Sequence, residues 1–522
     1  MNFEPSKFQK EIFDFVKNGE GNGIIEAVAG SGKTTTILEA AKHVKPDSKV
    51  LFMAFNRAIV QEIKSKLPKT TKALTFNGLG HKSLCQNLGS VRLDANKDMG
   101  IFKDLETDYA PAIKSKLYEP VRKLCSLAKY SGIVPEGYGN SITPDHYDSW
   151  KAVMEHHDVD VDDALDLLME MENITDKDDE EVEERALVEE AIRMTREILI
   201  AGLECNEIVD FNDQLYFPVA KGYHLEKFDV IFVDEAQDLS IIQRELIKQA
   251  LKKDGRVIAV GDTFQAIYGF RGADSSSMAN TKEEFDCTPL PLSITYRCPK
   301  VITKKAQEYV KHIECPKDAK NGVLENKGII QDCKLNPRDM VICRVNASLM
   351  RVAHNLIQKK VPFHYLGQDF VKGLVTLLDK VSKKENMDIE TFEKRLERWY
   401  NIQLVRAQRR KKGEGAIRDK YESFQIILDS FGAKDTDHLK VDIERVFRKP
   451  YGDSVILSTI HKAKGLEAPT VYYLNSHIGD YFIAQSGGWA QQQEYNMHYV
   501  AVTRAIDNLY YVKTRDQMKF DK

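Results

Sequence analysis

The chain has 522 residues, too many for one hydrophobic core, and its 42% hydrophobic and 30% charged content is that of an ordinary folded protein with several cores. A net charge of −4 and a pI near 6.4 exclude a uniformly basic surface, so any nucleic-acid site has to be a local groove. Eight cysteines without a CxxC pair argue against a zinc or iron–sulfur site and against a disulfide framework, and no stretch approaches the roughly 20 apolar residues of a membrane span.

Charges interrupt the opening MNFEPSKFQKEIFDF, so it does not read as a secretory signal. A soluble intracellular protein is expected, cytoplasmic or at the nucleoid and open to a phage origin, with no membrane partner. Short apolar runs alternate with helical patterns, the signature of parallel α/β domains. The first set of expected strands is Gly23–Glu26, Lys49–Phe55, Lys72–Phe76, Asp229–Val233 and Arg256–Val260. The second is Met340–Val345, Ser454–Thr459, Thr470–Leu474 and Asn508–Val512.

Directly after the first strand comes EAVAGSGKTTT, residues 26–36, followed by a helical pattern. A strand, a small-residue loop and a helix in that order make a phosphate cradle, because successive N–H groups and the helix N-terminus supply positive potential. Ala27, Gly30, Ser31, Gly32, Lys33, Thr34 and Thr35 would form it. Lys33 would reach the β- and γ-phosphates of ATP, and Thr34 would hold Mg²⁺. The general pattern has Gly where this chain has Ala27.

Residues 100–205 read as a polar helical insertion with an acidic run from Asp178 to Glu184, expected to be a solvated helix face. The apolar strand in FDVIFVDEAQDLS (228–240) then delivers two carboxylates at its C-terminal end. Asp234 would bind Mg²⁺, and Glu235 would orient and deprotonate the attacking water. Further on, GDTFQAIYGFRGA (261–273) places Tyr268, Phe270 and Arg271 close together, a composition suited to stacking on single-stranded bases. Phosphoryl transfer also needs cations on the developing charge, and Arg297 in SITYR and Arg504 in YVAVTRA become candidates through their motifs. Residues 373–449 form a second helical insertion, locally basic at Arg409, Arg410, Lys411 and Lys412.

The order of AVAGSGKT, MAFNRA, LTFNGLGH, DFNDQL, VDEAQD, GDTFQAIYGFRGA, LSITYR, RVN, LSTIHKAKGLE and EYNMHYVAVTRA resembles the superfamily 1 helicases of the UvrD/Rep/PcrA type. These matches run along nearly the whole chain and avoid the two insertions. The resemblance implies two RecA-like motor domains with ATP between them. The first would be residues 1–99 with 206–291, and the second 292–372 with 450–522. Residues 100–205 and 373–449 would be accessory subdomains.

The resemblance further implies that Gln9 reads the adenine edge, Tyr296 stacks on the base, and Glu467 lies near the ribose. Gln265 would sense the γ-phosphate, with Asp262 supporting the site and Arg297 and Arg504 closing on that phosphate. Phe55, Asn56, Thr75 and Phe76 in the first motor domain, and Arg344, Asn346 and His461 in the second, would face DNA. Phe270 stands where the family usually has Trp, which puts less stacking area there. The expected activity is ATP-dependent 3′→5′ translocation on single-stranded DNA and unwinding at single-strand/duplex junctions, in repair or replication, with room for a protein loading factor. The alternatives are a translocase that remodels protein–DNA complexes with little unwinding, and a partner-dependent P-loop module. Retention of Glu235, Gln265, Arg297 and Arg504 speaks against the latter.

Overall fold

A computed structural model describes residues 4–157, 159–174, 176–267, 276–410, 413–448, 452–485 and 488–515. The chain divides into two units, one of Met1–Ala27 with Gly32–Leu292 and one of Val28–Ser31 with Ser293–Lys522.

Eight strands belong to the first unit: β1 (Asn22–Ala27), β2 (Val50–Ala54), β3 (Thr71–Thr75), β4 (Arg92–Leu93), β5 (Ile208–Val209), β6 (Phe228–Val233), β7 (Leu251–Gly261) and β8 (Cys287–Leu292). Six of them form one parallel sheet in the order β3-β2-β6-β7-β1-β8, while β4 and β5 pair separately. Side chains alternate between the two faces of a strand, and here both faces are covered. Ile24, Leu51, Met53, Ile231, Val233 and Ala259 pack into one core. Ile25, Phe52, Ala54, Phe232, Ile258 and Val260 pack into the other. This explains why β2 and β6 read as unbroken apolar runs.

The segment expected as a helical insertion holds the helices Lys97–Asp104, Pro111–Ser131, Tyr147–His156, Asp162–Glu172 and Lys177–Glu204. They enclose a core of their own around Leu117, Val121, Leu165, Leu187 and Met194. The acidic run opens the long Lys177–Glu204 helix, where carboxylates oppose the positive end of the helix dipole.

The second unit contains β9 (Val323–Ile329), β10 (Met340–Cys343), β11 (Phe363–Leu366), β12 (Val455–Thr459), β13 (Ala468–Leu474) and β14 (Ala505–Lys513). They form a second parallel sheet in the order β11-β12-β10-β13-β14-β9. Its core continues from Val341, Leu457 and Leu474 through Leu374 into Phe392 and Phe424 of the later helices. The architecture is thus α/β with two parallel sheets flanked by helices.

Five strands were not expected from the sequence: the two-residue β4 and β5, and β8, β9 and β11. β8 reads CTPLPL, and two prolines weigh against a strand; it pairs with β1 alone among the described residues, and an edge position tolerates them. β9 reads VLENKGI and is mostly exposed, so it lacks an apolar run. β11 has only four residues. Expected strands also end early: β2 stops at Ala54, β10 at Cys343, and β3 at Thr75, because Phe76 is the first residue of the helix Phe76–Leu88, which Thr75 caps by accepting from the Gly78 N–H at 3.0 Å. No helix among the described residues is long and apolar enough to cross a membrane.

Candidate functional site

In a parallel sheet, the loops that follow the strands gather at one edge. At that edge of the first sheet lie the loop after β1, the acids after β6 and the turn after β7. Because β7 runs between β1 and β6, its turn is brought to the same place as both.

The loop after β1 needs left-handed backbone at Gly30 (φ +71) and Gly32 (φ +77). Ala27 ends β1 with no positive φ, so a Cβ is tolerated there. Gly32 opens the helix Lys33–Ala41 without a side-chain cap, which leaves the first-turn N–H groups facing the loop. The Ser31 hydroxyl is buried and has no partner among the described residues. Both features fit an incoming phosphate oxygen.

Thr34 donates from Oγ1 to Asp234 Oδ2 at 2.7 Å, so a hydroxyl and a carboxylate converge as two hard oxygen donors suited to Mg²⁺. Lys33 Nζ pairs with Glu235 Oε2 at 3.1 Å. Burial works against the lysine charge, but the carboxylates of Glu235, Asp262 and Asp234 outweigh it and raise the ammonium above its ordinary value. Burial and the adjacent Glu235 carry the Asp234 carboxyl up to about 6, against the pull of Thr34 and Lys33. Burial also raises Asp262.

Asp262 caps a short turn: Oδ1 accepts from the Phe264 N–H at 3.0 Å, and Oδ2 accepts from Gln265 Nε2 at 2.8 Å. Gln9 lies buried behind the loop, donating to Thr36 Oγ1 at 2.9 Å while its Oε1 accepts from the Ser6 N–H. Thr35 is exposed.

Within the second unit, Arg297 Nε donates to Glu467 Oε2 at 2.6 Å, and its Nη1 donates to the Thr503 carbonyl at 3.2 Å. Arg504 is fully buried and donates to the carbonyls of Val500 and Leu466 at 2.9 and 3.0 Å. Tyr296 is 54% exposed, which leaves its ring open to stacking.

The residues expected to face DNA divide. Asn56 is exposed at the end of β2 and caps the next helix through the Ile59 N–H at 2.9 Å. Phe55 is half-buried and meets Phe76 edge-on at 5.6 Å. Phe76 itself is 2% exposed, so in this conformation it supports Phe55 from the core and presents no face of its own. The reason is the helix that starts there and turns the ring inward.

Arg344 forms a two-pronged pair with Glu494, at 2.7 Å from Nη2 and 2.9 Å from Nε, over the Phe482 ring. Asn346 donates its side-chain amide to Asp419 at 2.7 Å and accepts from the Tyr365 hydroxyl. Both side chains are engaged inside the second unit. His461 is half-buried in the short helix Ile460–Ala463. Tyr268, Phe270 and Arg271 lie outside the described residues, as do Lys411 and Lys412 and the side chains of Arg409 and Arg410.

The model of the UvrD/REP helicase N-terminal domain matches residues 8–286, over half of the chain. The chain belongs to the UvrD/REP helicase family. The UvrD-like helicase C-terminal domain matches residues 354–516. Among curated proteins, the F-box DNA helicase protein 1 of Schizosaccharomyces pombe is 24% identical over 93% of this chain and 55% of its own length. ATP-dependent DNA helicase PcrA of Staphylococcus epidermidis is 34% identical over 119 residues, 21% of this chain and 16% of that protein. PcrA of Staphylococcus aureus is 33% identical over the same length. The chain therefore spans about half the length of the F-box relative.

Two residues of this UvrD/REP chain were missed by sequence reasoning. Gln237 donates from Nε2 to Glu235 and accepts from the Asp262 N–H at 2.9 Å, so it joins the acid turn to the turn after β7. Its signal was its place in VDEAQD, two residues past the second acid. Phe211 is 54% exposed, and its carbonyl accepts from Asn77 Nδ2 of the LTFNGLGH segment at 2.8 Å. The signal was its place as the aromatic residue of the DFNDQL segment.

Proposed function

We propose that the chain is an ATP-driven motor that moves 3′→5′ along single-stranded DNA and separates duplex at single-strand/duplex junctions. The observation that carries the reading is the convergence of Lys33, Thr34, Asp234, Glu235 and Gln265 at one sheet edge, with Asn56, Phe55 and Phe211 exposed or half-exposed in the same unit. Family membership supports it. The PcrA and F-box relatives, both named DNA helicases, point the same way.

Lys33 is the electrostatic anchor. A γ-phosphate competes with Glu235 for its ammonium, and Glu235 is then held by Gln237 alone of these two partners, with its carboxylate available to a water molecule. Thr34 and Asp234 would hold Mg²⁺, which neutralises charge on the β- and γ-phosphate oxygens when bound. Gln265, tied to Asp262, reports the phosphate to the turn that leads into residues 268–271. Arg297 and Arg504 are the cations proposed to answer the γ-phosphate during turnover, which requires Arg297 to exchange Glu467 and Arg504 to exchange backbone carbonyls. Tyr296 is proposed to stack on the adenine and Gln9 to read its edge through its remaining amide N–H.

On the DNA side, Phe55 and Phe211 would stack on bases, with Asn56, Thr75 and the 268–271 segment on the strand. Arg344, Asn346 and His461 are the second unit's proposed contacts, the first two only after leaving their present partners.

The test is steady-state ATPase with single-stranded DNA, single-stranded RNA and duplex, followed by strand displacement from 3′- and 5′-tailed duplexes. Stimulation by single-stranded DNA with displacement from the 3′ tail is expected. Stimulation without displacement would move the reading to a remodelling translocase. No stimulation by any nucleic acid would leave a nucleotide-binding module.

A further inference from the structure

The DFNDQL segment turns the chain from β5 into the helix Asp213–Ala220. Asp210 and Asp213 clamp this turn reciprocally. The Asp210 N–H donates to Asp213 Oδ2 at 2.9 Å, and the Asp213 N–H donates to Asp210 Oδ1 at 2.6 Å. Their remaining oxygens point inward to Lys129, whose Nζ lies 2.8 Å from Asp210 Oδ2 and 2.8 Å from Asp213 Oδ1. Lys129 also donates to both oxygens of Asp98, at 2.9 and 2.7 Å. Lys97 donates to Asp213 Oδ2 at 2.7 Å and to the Gly202 carbonyl at 2.9 Å, and sits 4.5 Å over the Phe217 ring.

All five side chains are buried. Charges are an expensive way to hold helices together, since apolar residues of the same size pack as well or better. What the cluster adds is geometry. It fixes the backbone on both sides of Phe211, while Asn77 fixes the Phe211 carbonyl and Asn212 is anchored to Ser126 Oγ at 3.0 Å. The ring of Phe211 is the part of this turn left in solvent.

We propose that the buried cluster of Lys97, Asp98, Lys129, Asp210 and Asp213 is a positioning device that presents Phe211 rigidly to a base of single-stranded DNA. The proposal rests on the reading of the chain as a single-strand-binding motor. The cluster sets how firmly the strand is gripped and leaves nucleotide affinity to the site around Lys33. Lys97 and Asp98 are positioning residues that touch neither DNA nor nucleotide.

The experiment is a double-mutant cycle on the full chain, reading anisotropy of fluorescein-labelled oligo-dT beside binding of a fluorescent ADP analogue. Phe211→Ala is expected to weaken oligo-dT binding roughly 5- to 100-fold, the loss of one stacked base. Lys97→Met keeps the stem over Phe217 and removes the charge. It is expected to weaken oligo-dT binding several-fold, to leave ADP binding unchanged, and to add nothing in the Phe211→Ala background. Lys97→Arg is expected to restore part of the grip. Asp98→Asn, which keeps the shape of the side chain, takes the place of Lys97→Met if that variant does not fold. Equal losses in both Phe211 backgrounds, or no loss in a folded variant, overturn the positioning role and leave the platform standing. Unchanged oligo-dT binding in Phe211→Ala overturns the platform, and the positioning proposal with it.

Discussion

The ammonium of Lys33 sits among three carboxylates and bonds to one of them, Glu235, at 3.1 Å. A triphosphate brings more negative charge to the same spot, so binding amounts to an exchange of partners for Lys33. Lys33→Ala removes the cation and leaves Asp234, Glu235 and Asp262 to repel the phosphates. ATPase is expected to fall by at least ~10²-fold with nucleotide affinity weakened as well, and wild-type turnover would refute the assignment. Glu235→Gln keeps the size and a hydrogen bond but removes the base. It should bind ATP and lower kcat by roughly 10²- to 10⁴-fold, checked by quench-flow beside equilibrium nucleotide binding. Lys33, Thr34, Asp234 and Glu235 could be read from the chain because each chemistry-bearing residue follows an apolar strand directly. Arg344 and Asn346 show the opposite case. Each was read from a motif, and what decides its present state is a partner far along the chain, Glu494 or Asp419, which local sequence does not reveal.

At the scale of elements, central strands such as β2 and β6 were legible because both their faces are buried, and burial on both faces writes a continuous apolar run. β8 and β9 were not, because an edge strand has one neighbour and less need of apolar residues. The helix Phe76–Leu88 shows how contact between elements constrains sequence in a way that periodicity hides. A Cβ at Gly80 would stand 1.6 Å from the backbone oxygen of Gln214 in the helix Asp213–Ala220. No rotamer change relieves a clash with backbone, so the helices would have to separate. Gly80→Ala is therefore expected to destabilise the first unit by about 3 kcal/mol or more, above the usual overpacking cost. Denaturant melts check this. Gly100→Ala in the helix Lys97–Asp104, where nothing lies within 4 Å, is the control and should be neutral or slightly stabilising.

For the molecule as a whole, the net charge of −4 is a sum of local balances, and the buried cluster of three aspartates and two lysines is one that comes within a single charge of cancelling. Asp98 is the member that titrates in reach of experiment. Burial, with Asp210 and Asp213 adding to it, raises its carboxyl from 3.8 to about 6 despite Lys129. Between those values the folded chain holds a proton that the unfolded chain does not, so this group's contribution to stability falls as pH rises from about 4 to about 6 and stays down above that. Asp98→Asn should remove that slope. Thermal melts of the two proteins at pH 4.5 and pH 7 check it, and an identical pH dependence would reject the shift. None of these partners could be inferred from the chain alone: Lys129 meets Asp98 across 31 positions and Asp210 across 81, with no spacing rule to join them.

The prolines of β8 have a consequence beyond fold. Pro289 and Pro291 stand two residues apart, so they share one lateral side of the strand, and that side cannot be the one donating to β1. The outward margin of the first sheet is thereby stripped of two amide hydrogens in succession. A stray strand from another molecule would find carbonyls there but too few donors to zip against. The residues that made β8 hard to recognise are the same ones that make this margin of the sheet a poor template for a further strand.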